Sequence, residues 1–397
     1  MEATIYTPHP KQREIHNSIL GEDYKYYIVS IGRQFGKTLL AENQALYWGC
    51  DNPNCKIGWV SPIYKQCKKV FQELERALAD SGLVESTNKS DLTIELANGS
   101  TIHFYSAEAY DSIRGETFDY LICDEFAYMP KQAWTEVLKA TVLVKGKKVL
   151  IISTPKGRNH FYDMFNIETY RSFKGTSYDN PHIPTHELDD AKRNLPDHVF
   201  KQEYLAEFLE DGSSVFSNVK ECVGVAERTS RLYAGVDLGR ADDYTVLTIL
   251  NDKGGMVYIK RWRHMDWLTI IKEVADVINE YNPITLVEAN ATQDAICESI
   301  REKCNIKQNI TPFITTSKSK QVIIEDLIVS FEGLDVSILD EEYLINELNL
   351  FTFEYNLKTR TIKYSAPIGQ HDDTVMALAI AHHSLKSKRS VGTYSVR

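Results

Sequence analysis

What is scarce in this chain narrows the field first. Its 397 residues include seven cysteines, at positions 50, 55, 67, 123, 222, 297 and 304, and no two form a C-x-x-C pair. An odd, scattered set argues against a disulfide framework or a cysteine zinc site and suits reduced thiols. Cys123, inside "YLICDE", reads as a small core residue. There is no run of about 18 apolar residues to span a bilayer, and the opening "MEATIYTPHPKQRE" lacks the apolar core of a secretory signal. A cytoplasmic protein is therefore expected. Positive charge is also in deficit: 45 Lys and Arg against 55 Asp and Glu leave a formal charge of −10. Such a chain does not coat nucleic acid indiscriminately, although a local basic groove would still serve a DNA enzyme. Acidic metal sites also pull the total down. No internal repeat or low-complexity tract is present.

What is there is an ordinary globular composition, 43% hydrophobic and 25% charged, in a chain long enough that two domains are the default expectation. The first half repeats strand, turn and helix. "KYYIVSIG" (25–32), "CKIGWVSP" (55–62), "STIHFYSA" (100–107), "FDYLICDE" (118–125) and "KKVLIIST" (147–154) are short apolar strands, with helical spacing in "KTLLAENQALYWGC" and "YKQCKKVFQELERALADSG". Continuous apolar strands between helices predict a parallel sheet covered on both faces. The rhythm lapses over 207–231, read as a linker between a domain at 1–206 and one at 232–397. The second domain restarts with paired strands at 232–238 and 244–250 and a third in "GGMVYIKRWRH". A helix (267–280), a strand (284–289), a helix (291–303), a hairpin around "YNLKTRTIKY" and a last helix from "HDDTVMALAIAHHSL" follow, ahead of a basic tail.

In the first half, "SIGRQFGKTLL" places Gly36, Lys37 and Thr38 at a strand-to-helix turn, where backbone N–H groups and a helix N-terminus can face phosphate. Lys37 would reach the β- and γ-phosphates and the Thr38 hydroxyl would bind Mg²⁺. The usual first glycine position is Ile31, and Gly32 sits one residue late; a plain turn could carry the same letters. "FDYLICDEFAYMP" adds Asp124 and Glu125 at a strand C-terminus, where open α/β sheets bind ligands. Asp124 would hold the Mg²⁺ shell and Glu125 orient the attacking water. Arg33, within the loop, could act as a finger in cis or be a solvated arginine. Ser153, Thr154 and Pro155 follow the next strand, where hydroxyls can sense the γ-phosphate. Gln12 could bond an adenine edge or lie on the surface.

In the second half the acids stand where apolar residues belong. Asp237 follows the apolar run of the strand in "YAGVDLG", Glu288 ends "ITLVEA", and Asp372 and Asp373 open the last helix. Acids are disfavoured in buried strands unless paired. Separated carboxylates that converge are hard oxygen ligands for Mg²⁺ or Mn²⁺. Two ions about 3.5–4 Å apart would stabilise the attacking and leaving oxygens of phosphodiester hydrolysis. An acid on an antiparallel trio, one on a later parallel strand and one on a terminal helix is the ribonuclease H-like arrangement. Either aspartate of the pair could instead cap the helix. Asp242 and Asp243 read as turn residues, with one a candidate metal ligand or a carboxylate supporting the ligands. His371 could touch the scissile phosphate, while His382 and His383 are expected on solvated helix surface. "TTSKSKQ" (315–321) and "KTRTIK" (358–363) are basic segments that could follow a DNA backbone or simply solubilise the chain.

Taken in order, "GRQFGKT", "LICDE", "STPKGRNHFY", "VDLG", "DDYT", "LVEAN" and "HDDTVMALA" resemble the terminase large subunits, the DNA-packaging motors of tailed bacteriophages and herpesviruses. The resemblance runs from about Thr7 to His383. It implies an α/β chain: an N-terminal P-loop domain of the RecA or ASCE type, with a parallel sheet covered by helices, and a C-terminal ribonuclease H-like domain with a mixed sheet. It implies ATP hydrolysis by Arg33, Lys37, Thr38, Asp124 and Glu125, coupling through Ser153-Thr154-Pro155, and DNA cutting by Asp237, Glu288 and one or both of Asp372 and Asp373. The implied partners are double-stranded DNA, a procapsid portal and a small terminase subunit. The implied assembly is a homo-oligomeric ring, a pentamer, on the portal in the cytoplasm of an infected host, with no membrane. The alternatives are a helicase-nuclease of recombination or repair, and a DNA-binding adaptor with a degenerate acid site.

Overall fold

The computed structural model describes residues 6–210, 214–239, 243–290, 293–356, 361–367 and 369–391. Asp242 and residues 358–360 of the basic hairpin lie outside the described residues. The chain divides into two compact units, Met1–Ala191 with His198–Glu210, and Lys192–Asp197 with Asp211–Arg397.

The first unit is built on eight strands: β1 (Tyr26–Ile31), β2 (Lys56–Ser61), β3 (Val84–Asn88), β4 (Thr93–Leu96), β5 (Thr101–Ser106), β6 (Tyr120–Asp124), β7 (Lys148–Ser153) and β8 (Arg171–Gly175). Their order is β3-β4-β5-β2-β6-β7-β1-β8. From β5 to β8 all pairings are parallel, and β3-β4-β5 is an antiparallel edge. Both faces are covered, which is why the central strands read as unbroken apolar runs. Tyr27, Val29 and Ile31 of β1 join one core with the helices Pro10–Gly21, Lys37–Asp51 and Tyr64–Leu78. Ile28 joins the other, with Leu121 and Cys123 of β6 and Trp134, Phe161 and Met164. All seven cysteines are free thiols, six of them buried. The expected strands appear, each trimmed by about a residue at its ends. The edge strands β3 and β4 and the outer β8 do not show in the sequence pattern.

The second unit carries β9 (Leu232–Asp237), β10 (Thr245–Asn251), β11 (Met256–Trp262), β12 (Ile284–Glu288) and β13 (Ile310–Phe313), in the order β11-β10-β9-β12-β13. The first three are antiparallel, and β12 and β13 run parallel to β9. The helices Trp267–Tyr281 and Asp294–Lys303 cover one face through Ile270, Val274, Cys297 and Ile300. Asp266 caps the first of them, accepting the Thr269 N–H at 3.0 Å. The terminal helix Asp373–Val391 lies across the other face. Gly235 makes that approach feasible: a Cβ there would stand 2.2 Å from the Ala377 carbonyl oxygen and 2.3 Å from the Ala381 nitrogen. A hairpin of β14 (Thr352–Asn356) and β15 (Thr361–Ser365) completes the unit. From Ser214 onward the segment read as a linker packs here through buried Val215, Phe216, Val219 and Cys222.

One surface expectation is overturned. His382 is only 4% exposed, and its Nε2 lies 2.8 Å from the Ser330 hydroxyl of the helix Ser317–Glu332. His383 is half-buried with its ring against Phe313. The terminal helix has strands on one side and another helix on the other, so it has little outer face on which to place either histidine.

Candidate active sites

In the first unit β1, β7 and β6 are neighbours, and the turns after their carboxyl ends meet. The loop after β1 closes at Gly36, held at φ 93°, a left-handed conformation that suits glycine, and the helix begins at Lys37. Lys37 Nζ lies 3.0 Å from Glu125 Oε1, and the Thr38 hydroxyl donates to Asp124 Oδ2 at 3.4 Å. Glu125 is itself left-handed, φ 54°. That is an uncommon state for a non-glycine residue, and such residues cluster at functional sites. Ser153 joins two of these turns: its hydroxyl accepts the Ala127 N–H at 3.1 Å and donates to the Thr154 carbonyl at 2.8 Å. Arg33 projects, its side chain 63% exposed, with Nε 3.1 Å from Glu203 Oε2. Gly32 is pressed against the Tyr204 carbonyl and Ser177.

Gln12 lies beneath the loop, not open to solvent. Its amide oxygen accepts the His9 N–H at 3.0 Å, and its nitrogen donates to the Gly36 carbonyl at 3.1 Å. Much of its hydrogen-bonding capacity is thus used to brace the phosphate loop.

Burial, and then the charge of Glu125, pushes the Asp124 carboxyl up to about 7. Burial opposes the charge of Lys37, but the combined pull of Glu125, Asp124 and Glu203 raises its pKa above the usual lysine range. Asp124 Oδ1 and Glu125 Oε2 are buried without hydrogen-bond partners. A hydroxyl, a carboxylate and an unpartnered carboxylate oxygen form a donor set that fits Mg²⁺.

In the second unit the parallel pairing of β12 with β9 sets Val287 beside Val236, so Glu288 and Asp237 end adjacent strands side by side. With Asp373, the first residue of the terminal helix, they line a cavity of about 260 Å³. Asp237 is 7% exposed. Burial, and then a hydrogen bond with Glu288 and its charge, hold Asp237 well above the usual carboxylate range. Burial likewise pushes Asp373 up to about 6, although its carboxylate accepts the Tyr244 N–H at 3.0 Å. Buried acids held above their usual range beside further carboxylates are a set that a divalent cation would relieve, so these residues too fit Mg²⁺ or Mn²⁺.

The neighbouring aspartates differ. Asp372 turns to Lys320, Oδ2 to Nζ 2.9 Å, whereas Asp373 is buried in the cluster. His371 Nδ1 lies 3.5 Å from Asp243 and 3.6 Å from Asp373. One ligand atom from each of these three residues lies within 4.8 Å of the other two.

Sequence reasoning missed the supports around the acids. Asn290 donates to Glu288 Oε1 at 3.0 Å and accepts the Thr315 N–H at 3.2 Å. Gln293 donates to the Leu238 carbonyl at 2.7 Å. The polar run "EANATQ" at the strand end was the available signal. Glu347 accepts the Thr374 N–H at 2.9 Å and fixes the start of the terminal helix.

Fold and site together define a class: a P-loop ATPase domain followed by a ribonuclease H-like domain bearing an acid cluster. Comparison with known proteins narrows it. A family model described as "Terminase large subunit, T4likevirus-type, N-terminal" matches residues 28–221. The large terminase subunit of Thermus virus P23-45 is 26% identical over 96% of this chain and 88% of its own length. That of Escherichia phage T5 is 28% identical over 61% of this chain and 60% of its own. A large terminase structure from a thermophilic bacteriophage superposes with a TM-score of 0.54 at 14% identity, covering 96% of this chain and 100% of that one, a likeness of fold. The chain is thus similar to terminase large subunits along nearly its whole length. Among the described residues no helix is long and apolar enough to cross a membrane.

Proposed function

We propose that this chain is a terminase large subunit, which hydrolyses ATP in its first unit to drive double-stranded DNA into a procapsid and cuts concatemeric DNA in its second. The observation that carries the reading is the convergence of Asp237, Glu288 and Asp373 on one cavity, in a chain whose other unit brings Lys37, Thr38, Asp124 and Glu125 together. Residues 1–206 are assigned to the ATPase domain and 232–397 to the nuclease domain.

In the ATPase, Thr38 and Asp124 would hold Mg²⁺, which neutralises phosphate charge when bound. Lys37 exchanges Glu125 for the β- and γ-phosphates, leaving the Glu125 carboxylate to orient the attacking water and accept its proton. Arg33 exchanges Glu203 for the charge that develops on the γ-phosphate. Ser153, bonded to the turns after both β6 and β7, couples that event to the rest of the unit.

In the nuclease, Asp237, Glu288 and Asp373 would hold the divalent cation, Mg²⁺ or Mn²⁺, which activates water and stabilises phosphodiester charge when bound. Asn290 orients Glu288, and the Tyr244 N–H orients Asp373. Asp372 is assigned outside the ligand set because Lys320 holds it. Gripping DNA by its phosphates lets any sequence be moved, since backbone contacts carry no sequence information. The remaining partners follow from the family: a portal, a small terminase subunit and a ring of copies, in the cytoplasm of the infected host.

The test is ATP turnover and plasmid cleavage by one purified preparation. Lys37→Ala is expected to abolish turnover and spare metal-dependent cleavage. Asp237→Ala is expected to abolish cleavage and spare turnover. If both variants keep both activities, the assignment is wrong.

A further inference from the structure

Among the described residues lining the acid cavity, Lys320 is the one cationic side chain. The others that carry charge, Asp237, Asp243, Glu288, Asp372 and Asp373, are all acids. A DNA strand, itself a polyanion, must approach this cluster closely enough to be cut. We propose that Lys320 is a catalytic residue of the nuclease. Its ammonium holds a non-bridging oxygen of the scissile-strand phosphate, and Asp372 is its positioning partner. The inference rests on the nuclease reading above.

Local structure places the side chain. Thr316 opens the helix Ser317–Glu332 with a reciprocal cap: its hydroxyl accepts the Ser319 N–H at 3.1 Å, and the Ser319 hydroxyl accepts the Thr316 N–H at 2.8 Å. That cap fixes the first turn at the cavity wall, and Lys320 follows directly. Its Nζ stands 2.9 Å from Asp372 Oδ2 and 5.9 Å from the centre of the Phe351 ring. The side chain is 26% exposed, so it is held and yet reachable. An ammonium has three N–H donors. Asp372 takes one, and the others remain for a phosphate.

A second donor stands on the same wall. The Thr315 hydroxyl is buried and has no hydrogen-bond partner, while its backbone N–H is fixed by Asn290, the residue that also orients Glu288. A phosphate oxygen between Lys320 and Thr315 would satisfy both groups. A positive charge preset where negative charge grows in the transition state accelerates the step without reorganisation at the moment of reaction. This arrangement also explains why Asp372 and Asp373, adjacent in sequence, do different work: one aims the lysine and the other joins the acid cluster.

The experiment uses the full chain. Plasmid cleavage is measured across DNA concentrations with Mg²⁺, and binding to a DNA duplex is measured across salt concentrations in EDTA. Lys320→Ala is expected to lower kcat for cleavage roughly tenfold to a thousandfold, with ATP turnover and the melting transition of the second unit unchanged. It is also expected to reduce the slope of log K against log salt by about 0.9, the loss of one phosphate contact. Lys320→Arg should retain the slope and part of the rate, and Lys320→Gln serves if the alanine variant unfolds. If Lys320→Ala cleaves like the wild type, the proposal fails. If the double variant Lys320→Ala, Asp372→Asn regains full cleavage, the lysine only neutralises Asp372 and the proposal fails equally. Cleavage surviving in Asp237→Ala would instead sink the nuclease reading itself, whatever Lys320 does.

Discussion

Replacing Asp237 by Asn should make the metal-free protein more stable while it disables the nuclease. Burial, Glu288 and the nearby aspartates raise Asp237 well above its ordinary range. A carboxyl whose folded pKa exceeds its unfolded one binds a proton more tightly when folded. Its contribution is therefore complete below about 3.9, the unfolded value, and is lost as pH rises toward the folded value. Across that window stability falls by about 1.4 kcal/mol per pH unit for a single proton. Asn keeps the shape and can still donate to Glu288, but it does not titrate. Above the unfolded value the variant should therefore gain steadily on the wild type as pH rises, read as a widening difference in melting temperature of roughly 2–4 °C per kcal/mol in a unit of this size. Calorimetry in EDTA is the assay, with Lys37→Ala identifying which transition belongs to the first unit. Adding Mg²⁺ should narrow the gap, stabilising the wild type by about 1.4 kcal/mol at ten times its Kd and the variant far less. Parallel stability–pH curves for the two proteins, or equal responses to Mg²⁺, would refute the reasoning.

Glu42, on the helix that follows the phosphate loop, is 8% exposed with Oε1 lacking a partner, and burial, then Glu73 and Asp124, push it up to about 8. Its contribution is complete below about 4.5 and declines as pH rises to about 8, so Glu42→Gln should flatten the fall in stability over that window in a pH series of melting curves. Gly235→Ala would drive a methyl into the backbone of the terminal helix and should cost about 1–3 kcal/mol or more, read as a lowered transition of the second unit with ATP turnover retained. Glu125→Gln should lower ATP turnover about 10²-fold or more while nucleotide binding, followed by titration calorimetry, stays within a few-fold of the wild type.

Much of this arrangement was legible because two physical rules leave marks in a sequence. Strands buried on both faces read as apolar runs, so the cores of β1, β2, β6, β7 and β9 stood out. An acid ending such a run is anomalous, so Asp124, Asp237 and Glu288 stood out too. Strands β3, β4, β8 and β13 did not, because "VESTN", "TIEL", "RSFKG" and "ITPF" are short or part-exposed edge segments without an unbroken apolar run. Asp372 and Asp373 could not be told apart locally. Successive residues at a helix start point about 100° apart, and which one is drawn to a cation depends on Lys320, 52 positions earlier. The burial of Gln12 and of His382 was hidden for a related reason: each is polar and sits where polar residues usually meet water. Each is buried by a tertiary neighbour, Gly36 for the first and Ser330 for the second.

The most direct measurement is anomalous diffraction from crystals of the full chain soaked in Mn²⁺. The expected result is a peak bounded by the carboxylates of Asp237, Glu288 and Asp373, lost in Asp237→Asn crystals, with Asp372 still paired to Lys320. A map with no manganese at those three side chains, or with manganese confined to Asp243 and His371, would contradict the claim that they form the cutting site.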